Sequence, residues 1–271
     1  MKDKQYSLSP YALNEIEHRY GNNVHILNEP YLSRILATFC EVKTEQPIIS
    51  QLVKILYSHL LLFLIGKEFA QKKTIIKTRM ASFHPEGEFE AHLIDNNVPV
   101  VTCAIARAGI LPSQVCFETL NSFFVASKIR QDFVYLAREV NDKQEVMGTS
   151  VSGYKIGGHI DGSYILIPDP MGATGGTVTK AIGLYKNEIK GIPLKIILAH
   201  LIVTPEYLKH VTNLYPDVFI YSLRLDRGLS STKALQSIPG EYWNEEKGLN
   251  VHDYIIPGAG GIGELLNNSY V

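Results

Sequence analysis

The chain of 271 residues has a mass of 30.3 kDa, 45% hydrophobic and 20% charged residues, and a mean hydropathy of +0.01. These values are typical of a soluble globular protein and exclude a disordered chain or a small disulfide-stapled scaffold. Lys and Arg total 26 and Asp and Glu total 27, so no excess of positive charge favours nucleic acid or an anionic membrane as a partner.

Cysteines and apolar segments bear on the compartment. The three cysteines are Cys40, Cys103 and Cys116. They form no CxxC pair and stand among apolar neighbours, which predicts free, buried thiols and a reducing, cytoplasmic location. Residues 1–6 are not followed by the apolar segment of a secretory signal, so we expect no export. The most apolar stretch, residues 55–65, is shorter than the roughly 20 residues that a bilayer requires and predicts a buried helix.

The first third of the chain mixes element types. Residues 1–24 are polar and predict an N-terminal arm that lies over a single domain of residues 25–271. Apolar residues recur at helical spacing between residues 30 and 70 and predict two helices, the second ending near Gly66. Loose alternation over residues 78–94 predicts a hairpin.

Beyond residue 97 the pattern predicts an α/β fold. Short apolar runs rich in β-branched residues occupy residues 98–105, 133–136, 164–168, 195–199 and 218–221. Helical segments between them cover residues 111–127, 176–190 and 205–215. Strands without internal alternation, separated by helices, predict a central, mostly parallel sheet that helices flank on both faces.

Two segments read as functional loops. Residues 140–158 mix charges with four glycines and predict a mobile flap. Residues 229–248 contain the single tryptophan, Trp243, and predict an inserted surface loop. The nine histidines have neither HxxxH nor HExxH spacing, so we expect core or surface roles, with His159 in the flap as the one to follow.

The richest chemical signal follows the run at residues 164–168. An apolar strand leads to Asp169, then to a glycine- and threonine-rich turn, and then to a helix. Glycines allow several N–H groups to face one anion, and a helix N-terminus adds partial positive charge. The GxxxxGK[S/T] and GxGxxG patterns are absent here. The turn alone would equally suit a plain connection, but the acid and the threonines favour a phosphate cradle.

These residues resemble a known family. The segment Asp169-Pro170-Met171-Gly172-Ala173-Thr174-Gly175-Gly176-Thr177 resembles the phosphoribosyl-diphosphate (PRPP) loop of uracil phosphoribosyltransferases, in which Asp-Pro-Met replaces the paired acids of most type I phosphoribosyltransferases. Further marks agree in order and spacing: Ala106-Arg107-Ala108-Gly109, Tyr135-Leu136-Ala137-Arg138-Glu139, Gly248-Leu249-Asn250 and Tyr254-Ile255-Ile256-Pro257-Gly258. The resemblance covers residues 24–271.

The resemblance implies an activity, a site and partners. The reaction would transfer the 5-phosphoribosyl group from PRPP to uracil, giving UMP and diphosphate, with Mg²⁺ carried on the diphosphate and no metal site of the protein's own. The implied catalytic residues are Arg107, Arg138 and Asp169. The implied PRPP-binding residues are Arg107, Ala108, Gly109, Arg138, Asp169, Pro170, Met171, Gly172, Ala173, Thr174, Gly175, Gly176 and Thr177. The backbone of Ile255, Gly260, Gly261 and Ile262 would bind uracil.

The family also implies a shape and an assembly. The fold would be that of type I phosphoribosyltransferases, with a small hood built from peripheral and C-terminal segments, which we define as residues 249–271. A homodimer or higher homo-oligomer is expected, and the apolar residues 48–65 would supply its interface.

The sequence departs from the family in the hood. Gly261 stands where the family carries an aspartate, and Glu264 keeps a carboxylate three residues later. After Arg138, the family's Asn-Glu-Glu-Thr run is absent. Two alternatives therefore stay open beside uracil transfer. One is a catalytically impaired PRPP- or nucleotide-binding regulatory protein, and the other is a phosphoribosyltransferase for a different base.

Overall fold

The computed structural model of the protein describes residues 11–140 and 146–269, and for residues 137–140 and 146–149 it describes the backbone only. The strands are β1 (Val24–Ile26), β2 (Gln71–Lys77), β3 (Glu88–Ile94), β4 (Val100–Ala106), β5 (Ile129–Val140), β6 (Val146–Lys155), β7 (Tyr164–Pro168), β8 (Met171–Gly172), β9 (Lys195–Val203) and β10 (Phe219–Leu225). The α-helices are α1 (Pro30–Phe39), α2 (Ile48–Glu68), α3 (Ile110–Asn121), α4 (Gly176–Asn187), α5 (Pro205–Leu214), α6 (Thr232–Leu235) and α7 (Ile262–Asn267).

The main sheet has the order β1-β10-β9-β7-β4-β5-β6, and the short strand β8 pairs with β9. Every pairing in it is parallel except that of β5 with β6. Strands β2 and β3 form a separate antiparallel hairpin. The predicted mostly parallel α/β fold is confirmed. Because β4, β5, β7, β9 and β10 run in one direction, their carboxyl ends meet at one edge of the sheet.

Both faces of this sheet are covered, which explains the continuous apolar runs. In β7, Leu166 faces the core beneath α1, α2 and α3, whereas Ile165 and Ile167 face the core beneath α4 and α5. All three are at most 1% exposed. Helix α5 begins as its sequence predicts, with Thr204 accepting the N–H of Tyr207 as the N-cap and Pro205 in the first turn.

Helix α2 is the central helix of one core. It has 21 residues and by length and composition alone could cross a bilayer, so the expectation of a span too short for that is wrong. Its buried stripe, which includes Val53, Leu60 and Leu64, instead lies in the core with the sheet, and the prediction of a buried helix is confirmed. The exposed large apolar side chains on α2 are Ile48 and Leu62, and the oligomer interface expected at residues 48–65 stays a prediction.

Several predicted boundaries differ from the structure. The hairpin begins earlier than expected, because its first strand is Gln71–Lys77. The helix predicted for residues 111–127 ends at Asn121, where the side chains of Asn121 and Ser122 hydrogen-bond the carbonyls of Phe117 and Thr119. Such bonds compete with the next helical turn and stop the helix.

The predicted flap is largely a strand. Val146–Lys155 pairs antiparallel with β5 and extends the sheet by one edge strand, whereas residues 141–145 of the predicted flap lie outside the described residues. The mobility expected for the flap, residues 140–158, stays a prediction. Residues 1–10 of the predicted N-terminal arm and residues 270–271 of the hood also lie outside the described part.

The segment 229–248 is fastened to the domain rather than lying loosely on its surface. The indole N–H of Trp243 donates to the carbonyl of Pro205 at 3.0 Å. Glu246, which is 6% exposed, accepts from Arg227 at 2.8 Å and from the hydroxyl of Tyr20 at 2.5 Å. Arm and segment therefore share a buried carboxylate.

Two of the three thiols are buried as the sequence predicts. Cys103 and Cys116 are buried, Cys40 is half-buried, and all three are free. Burial raises the pKa of both Cys103 and Cys116 to about 12, so these two thiols stay protonated and unreactive at neutral pH.

Candidate active site

The predicted PRPP residues follow neighbouring strands. The arginine loop (residues 106–109) follows β4, the phosphate loop (residues 169–177) follows β7, and Arg138 lies near the end of β5. In the sheet, β7 is next to β4 and β4 is next to β5, so the topology brings the three segments to one edge. The side chain of Arg138 lies outside the described residues, and its role stays a prediction.

The phosphate loop is shaped by two glycines. A Cβ at Gly172 would lie 2.9 Å from Cγ1 of Val203, so only glycine lets this part of the loop pair closely with β9. Gly175 has φ +86° and is the N-cap of α4. Its left-handed conformation turns the chain sharply into the helix at little steric cost.

The loop presents donors at its surface. Thr174 is exposed and lies just before the N-cap of α4, and Thr177 is half-buried in its first turn. The first N–H groups of a helix have no partner within the helix, and the helix dipole favours negative charge beside them. The loop can therefore hold a phosphate group.

Asp169 lies where β7 ends. Its N–H donates to the carbonyl of Ala199 at 3.0 Å, and its Oδ1 accepts the N–H of Met171 at 3.4 Å. The side chain keeps some exposed surface, but burial among protein atoms raises its pKa to about 6, against the opposing effect of the Met171 bond. Above that pH the carboxylate can accept hydrogen bonds from the hydroxyl groups of a ligand.

The arginine loop lies against both the phosphate loop and the hood. A Cβ at Gly109 would come within 2.9 Å of the carbonyl oxygen of Pro168, so the absence of a side chain permits this close approach. On the other side, the Cβ of Ala108 is 3.7 Å from the position of a Cβ at Gly263 in α7. Arg107 is exposed and donates from its guanidinium to the hydroxyl of Ser269 at 2.7 Å.

The hood is anchored to β10 by residues that sequence reasoning missed. Asp226, which is 2% exposed, accepts from Arg224 at 2.6 and 2.8 Å and from the N–H of Gly258 at 2.7 Å. Arg224 also donates to the carbonyl of Gly258 at 3.2 Å. The Arg-Leu-Asp spacing after a buried strand was the available signal, because alternate strand residues share a face.

The predicted uracil-binding residues lie together in the hood, but three of their main-chain polar groups already have partners. The side chains of Ile255 and Ile262 are buried in the core, so only their backbone could meet a ligand. The N–H of Ile262 donates to the carbonyl of Gly260 at 3.1 Å, and the carbonyl of Gly261 accepts from the N–H of Glu264 at 3.1 Å. The proposed contacts with a base stay a prediction.

Glu264 fills the space beside Gly261. Its Oε2 lies 1.8 Å from where a Cβ at position 261 would be. The carboxylate thus folds back over the residue at which the family's aspartate is replaced. The hood therefore keeps an acid at this place, although it comes from the first turn of α7.

His159, the histidine singled out by the sequence, lies elsewhere. His159 is exposed and its carbonyl accepts from Arg130, at the edge where β4 and β5 begin, so it is remote from this site. Within residues 11–140 and 146–269, no group of three or more His, Cys, Asp or Glu side chains is arranged to hold a metal ion.

The arrangement is that of the type I phosphoribosyltransferase class, as the resemblance implied. A sequence model described as uracil phosphoribosyltransferase matches residues 26–241. The uracil phosphoribosyltransferase of Mycoplasmoides gallisepticum is 27% identical over 241 residues, which cover 89% of this chain and 96% of that protein. The one of Dictyoglomus turgidum is 27% identical over 244 residues, covering 90% and 98%. The chain belongs to the uracil phosphoribosyltransferase family.

A solved structure has the same fold. The AQ2163 protein from Aquifex aeolicus superposes with a TM-score of 0.67 at 21% identity, covering 92% of this chain and 99% of that one. This likeness bears on the fold alone. Family membership supports PRPP-dependent phosphoribosyl transfer as the class of activity.

Proposed function

We propose that the protein transfers the 5-phosphoribosyl group from PRPP to uracil, giving UMP and diphosphate. The observation that carries this proposal is the Asp-Pro-Met phosphate loop, which follows β7 beside the arginine loop of β4. The names of the relatives from Mycoplasmoides and Dictyoglomus support uracil as the acceptor.

Each site residue has a role that suits its chemistry. The loop N–H groups and threonines would bind the 5′-phosphate, and Asp169 would accept hydrogen bonds from the ribose hydroxyls. Arg107 and Arg138 would bind the diphosphate, because a guanidinium is a planar, always charged donor. As the bond from C1′ to diphosphate breaks, positive charge develops on the ribose and negative charge on the leaving group. Fixed charges stabilise such a transition state without a covalent nucleophile.

Mg²⁺ would enter with PRPP. Magnesium in phosphate sites is held largely by substrate oxygens and water, with one or two carboxylates from the protein. The described residues fit that arrangement, since Asp169 offers a single carboxylate beside the proposed substrate. The ion would offset charge on the diphosphate.

Backbone groups of the hood would select the base. Uracil presents a carbonyl, an N–H and a second carbonyl along one edge, which main-chain groups can pair with. Cytosine would leave some of these groups unpaired, and a site of this kind rejects such an analogue strongly. The hydrogen bond from the N–H of Ile262 to the carbonyl of Gly260 would have to break for this pairing.

The deciding experiment mixes the protein with PRPP, Mg²⁺ and radiolabelled uracil and measures UMP against a no-uracil control. Formation of UMP faster than the uncatalysed background supports the proposal. Absence of UMP with PRPP binding intact in calorimetry contradicts uracil transfer and leaves two candidates: a regulatory PRPP-binding protein, which Gly261 favours, or transfer to another base in a panel. Absence of both UMP and PRPP binding contradicts the phosphate-loop assignment.

We also propose a cytoplasmic location, which the three free thiols support, and a homo-oligomeric state. Light scattering of the purified protein tests the latter, and a mass of 30.3 kDa at micromolar concentration would contradict it.

A further inference from the structure

A buried group of three residues behind the phosphate loop has no part in the roles described so far. The residues are His200 on β9, Thr204 at the N-cap of α5, and Tyr207 in the first turns of α5. Each is at most 1% exposed. Polar groups so deeply buried are retained only when hydrogen bonds satisfy them, and the partners of these three lead to the loop.

The first connection runs through His200. Its Nδ1 lies 2.6 Å from the main-chain carbonyl of Asp169, and its Nε2 lies 2.5 Å from the hydroxyl of Tyr207. A carbonyl oxygen can only accept, so Nδ1 carries the proton. Burial lowers the pKa of His200 to about 4, so the ring is neutral and Nε2 accepts from Tyr207. Both hydrogen bonds therefore run in one direction, from the hydroxyl of Tyr207 to His200 and from His200 to the carbonyl of Asp169.

The second connection runs through Thr204. Its hydroxyl donates to the carbonyl of Ala173 at 2.7 Å and accepts the N–H of Tyr207 at 3.0 Å. Its own N–H donates to the carbonyl of Gly172 at 3.1 Å. One hydroxyl thus caps the helix and holds the middle of the phosphate loop.

The third connection is steric. A Cβ at Gly172 would lie 3.1 Å from Cγ of Tyr207, so the tyrosine ring lies directly beneath the loop. The ring also packs edge-on against His200, with 4.7 Å between ring centroids. The side chain of Tyr207 therefore reaches the loop at Asp169, through His200, and at Gly172 directly. The link from Thr204 to Ala173 involves only the main-chain N–H of residue 207 and does not require the tyrosine side chain.

We propose that Tyr207, acting through His200, is a positioning residue that fixes the main chain of the phosphate loop for PRPP, while Thr204 holds the same loop through its own hydroxyl. The inference deepens the proposed function, because the loop is the proposed PRPP site. A loop whose carbonyls are held from behind keeps its N–H groups pointing towards the ligand and loses less entropy on binding.

The test is Tyr207→Phe, which removes only the hydroxyl and leaves Nε2 of His200 without a donor. One lost hydrogen bond corresponds to about a fivefold to tenfold change in a local equilibrium. We expect amide hydrogen exchange in residues 169–175 to accelerate about fivefold. We also expect KM for PRPP to rise by a similar factor, with kcat and the KM for uracil changed less than twofold.

The matched control is Tyr185→Phe. Tyr185 is equally buried, and its hydroxyl donates to Asp132 at 3.0 Å, away from the loop. This variant should lose a comparable amount of thermal stability without faster exchange in residues 169–175. If Tyr207→Phe and Tyr185→Phe give the same loop exchange and the same KM for PRPP, the inference is wrong.

A second pair of variants separates positioning from packing. His200→Asn keeps a side-chain N–H near the carbonyl of Asp169, whereas His200→Leu keeps bulk but no donor. Loop exchange slower in His200→Asn than in His200→Leu supports the inference, and the reverse order contradicts it. Because exchange needs no substrate, this comparison remains decisive even if the protein proves not to transfer uracil.

Discussion

The phosphate loop and the hood lie at the same edge of the sheet but are held there differently. The loop pairs with β9 and is supported from beneath by buried side chains of β9 and α5. The hood, of which residues 249–269 are described, consists of tight turns and the six-residue helix α7, and hydrogen bonds tie it to Asp226 after β10 and to Glu206 in α5. The proposed phosphate site is thus part of the hydrogen-bonded sheet. The proposed base site lies in a peripheral segment that is attached to the sheet.

This difference separates two tasks. Every PRPP molecule presents the same phosphates, so a rigid cradle serves all acceptors, and rigidity lowers the entropic cost of binding. Base recognition needs polar groups that pair with one particular edge of the base, and the turns of the hood supply main-chain groups while the side chains of Ile255 and Ile262 stay buried in the core. We therefore expect changes in the loop to affect PRPP and changes in the hood to affect the base.

The largest effect should come from Asp169→Asn, which we expect to lower kcat/KM for PRPP on the order of 100-fold by removing a charge at the reacting ribose. Because burial raises the pKa of Asp169 to about 6, the carboxylate forms as pH rises through 6. Activity of the unchanged protein should therefore rise through that pH. The Asp169→Asn profile is the control, since it keeps any titration of PRPP itself; an identical pH profile in both proteins would refute the assignment.

The next effect tests the hood anchor. Asp226→Asn removes the charge paired with Arg224 and one acceptor for Gly258, so we expect KM for uracil to rise about tenfold, since a hydrogen bond to a charged group contributes about 1.5–3 kcal/mol. The dissociation constant for PRPP should change less than twofold. Asp217→Asn is the control, because Asp217 forms an exposed pair with Lys186 that contributes little. A larger loss of affinity for PRPP than for uracil would contradict the assignment of separate tasks to the phosphate loop and the hood.

The variant Gly261→Asp should have a smaller effect, an increase of about threefold in the rate of uracil transfer. Position 261 is the N-cap of α7 with φ −80°, where aspartate is favourable, and only the flexible end of Glu264 must move aside. Uracil transfer should increase and its magnesium dependence should change. The double variant Gly261→Asp/Glu264→Gln removes the repulsion between the two acids. Unchanged transfer and magnesium dependence would mean that this position does not weaken the site.

The smallest effect should follow Ser269→Ala. This change frees Arg107 from its hydrogen bond to the C-terminal segment, and because that bond is exposed, KM for PRPP should fall by no more than about twofold. Ser122→Ala, which alters an exposed serine at the end of α3, serves as control. A rise in KM would indicate that Ser269 helps to position the arginine instead of competing for it.

The sheet and the phosphate loop were predictable because their signals are local. Buried parallel strands appear as continuous apolar runs, and the glycine-rich turn after residue 168 sits on a strand–helix junction that the structure contains. Strand β6 was missed because its two glycines and the charged residues just before it suit a loop. Its pairing with β5 supplies the structure that its own composition does not.

The supporting residues were less predictable, since their roles depend on contacts distant in sequence. His200 stands 31 residues from its partner Asp169, and nothing nearby indicates which carbonyl it meets. A polar residue following the apolar run at residues 195–199 was the available signal. Glu264 could be named from the sequence, but its position over Gly261 depends on the turn of the backbone there.

Helix α2 has a consequence for the order in which the protein forms during synthesis. The hydroxyl of Tyr57 donates to Ala199, which is 142 residues later, and Glu68 pairs with Lys195, which is 127 residues later. A ribosome therefore produces a 21-residue apolar helix long before the strands that cover it. Until β9 and β10 emerge, only the parts of this core that are made earlier, such as α1, α3 and β7, or a chaperone can shield that face, and the nascent chain is most prone to aggregation in this interval.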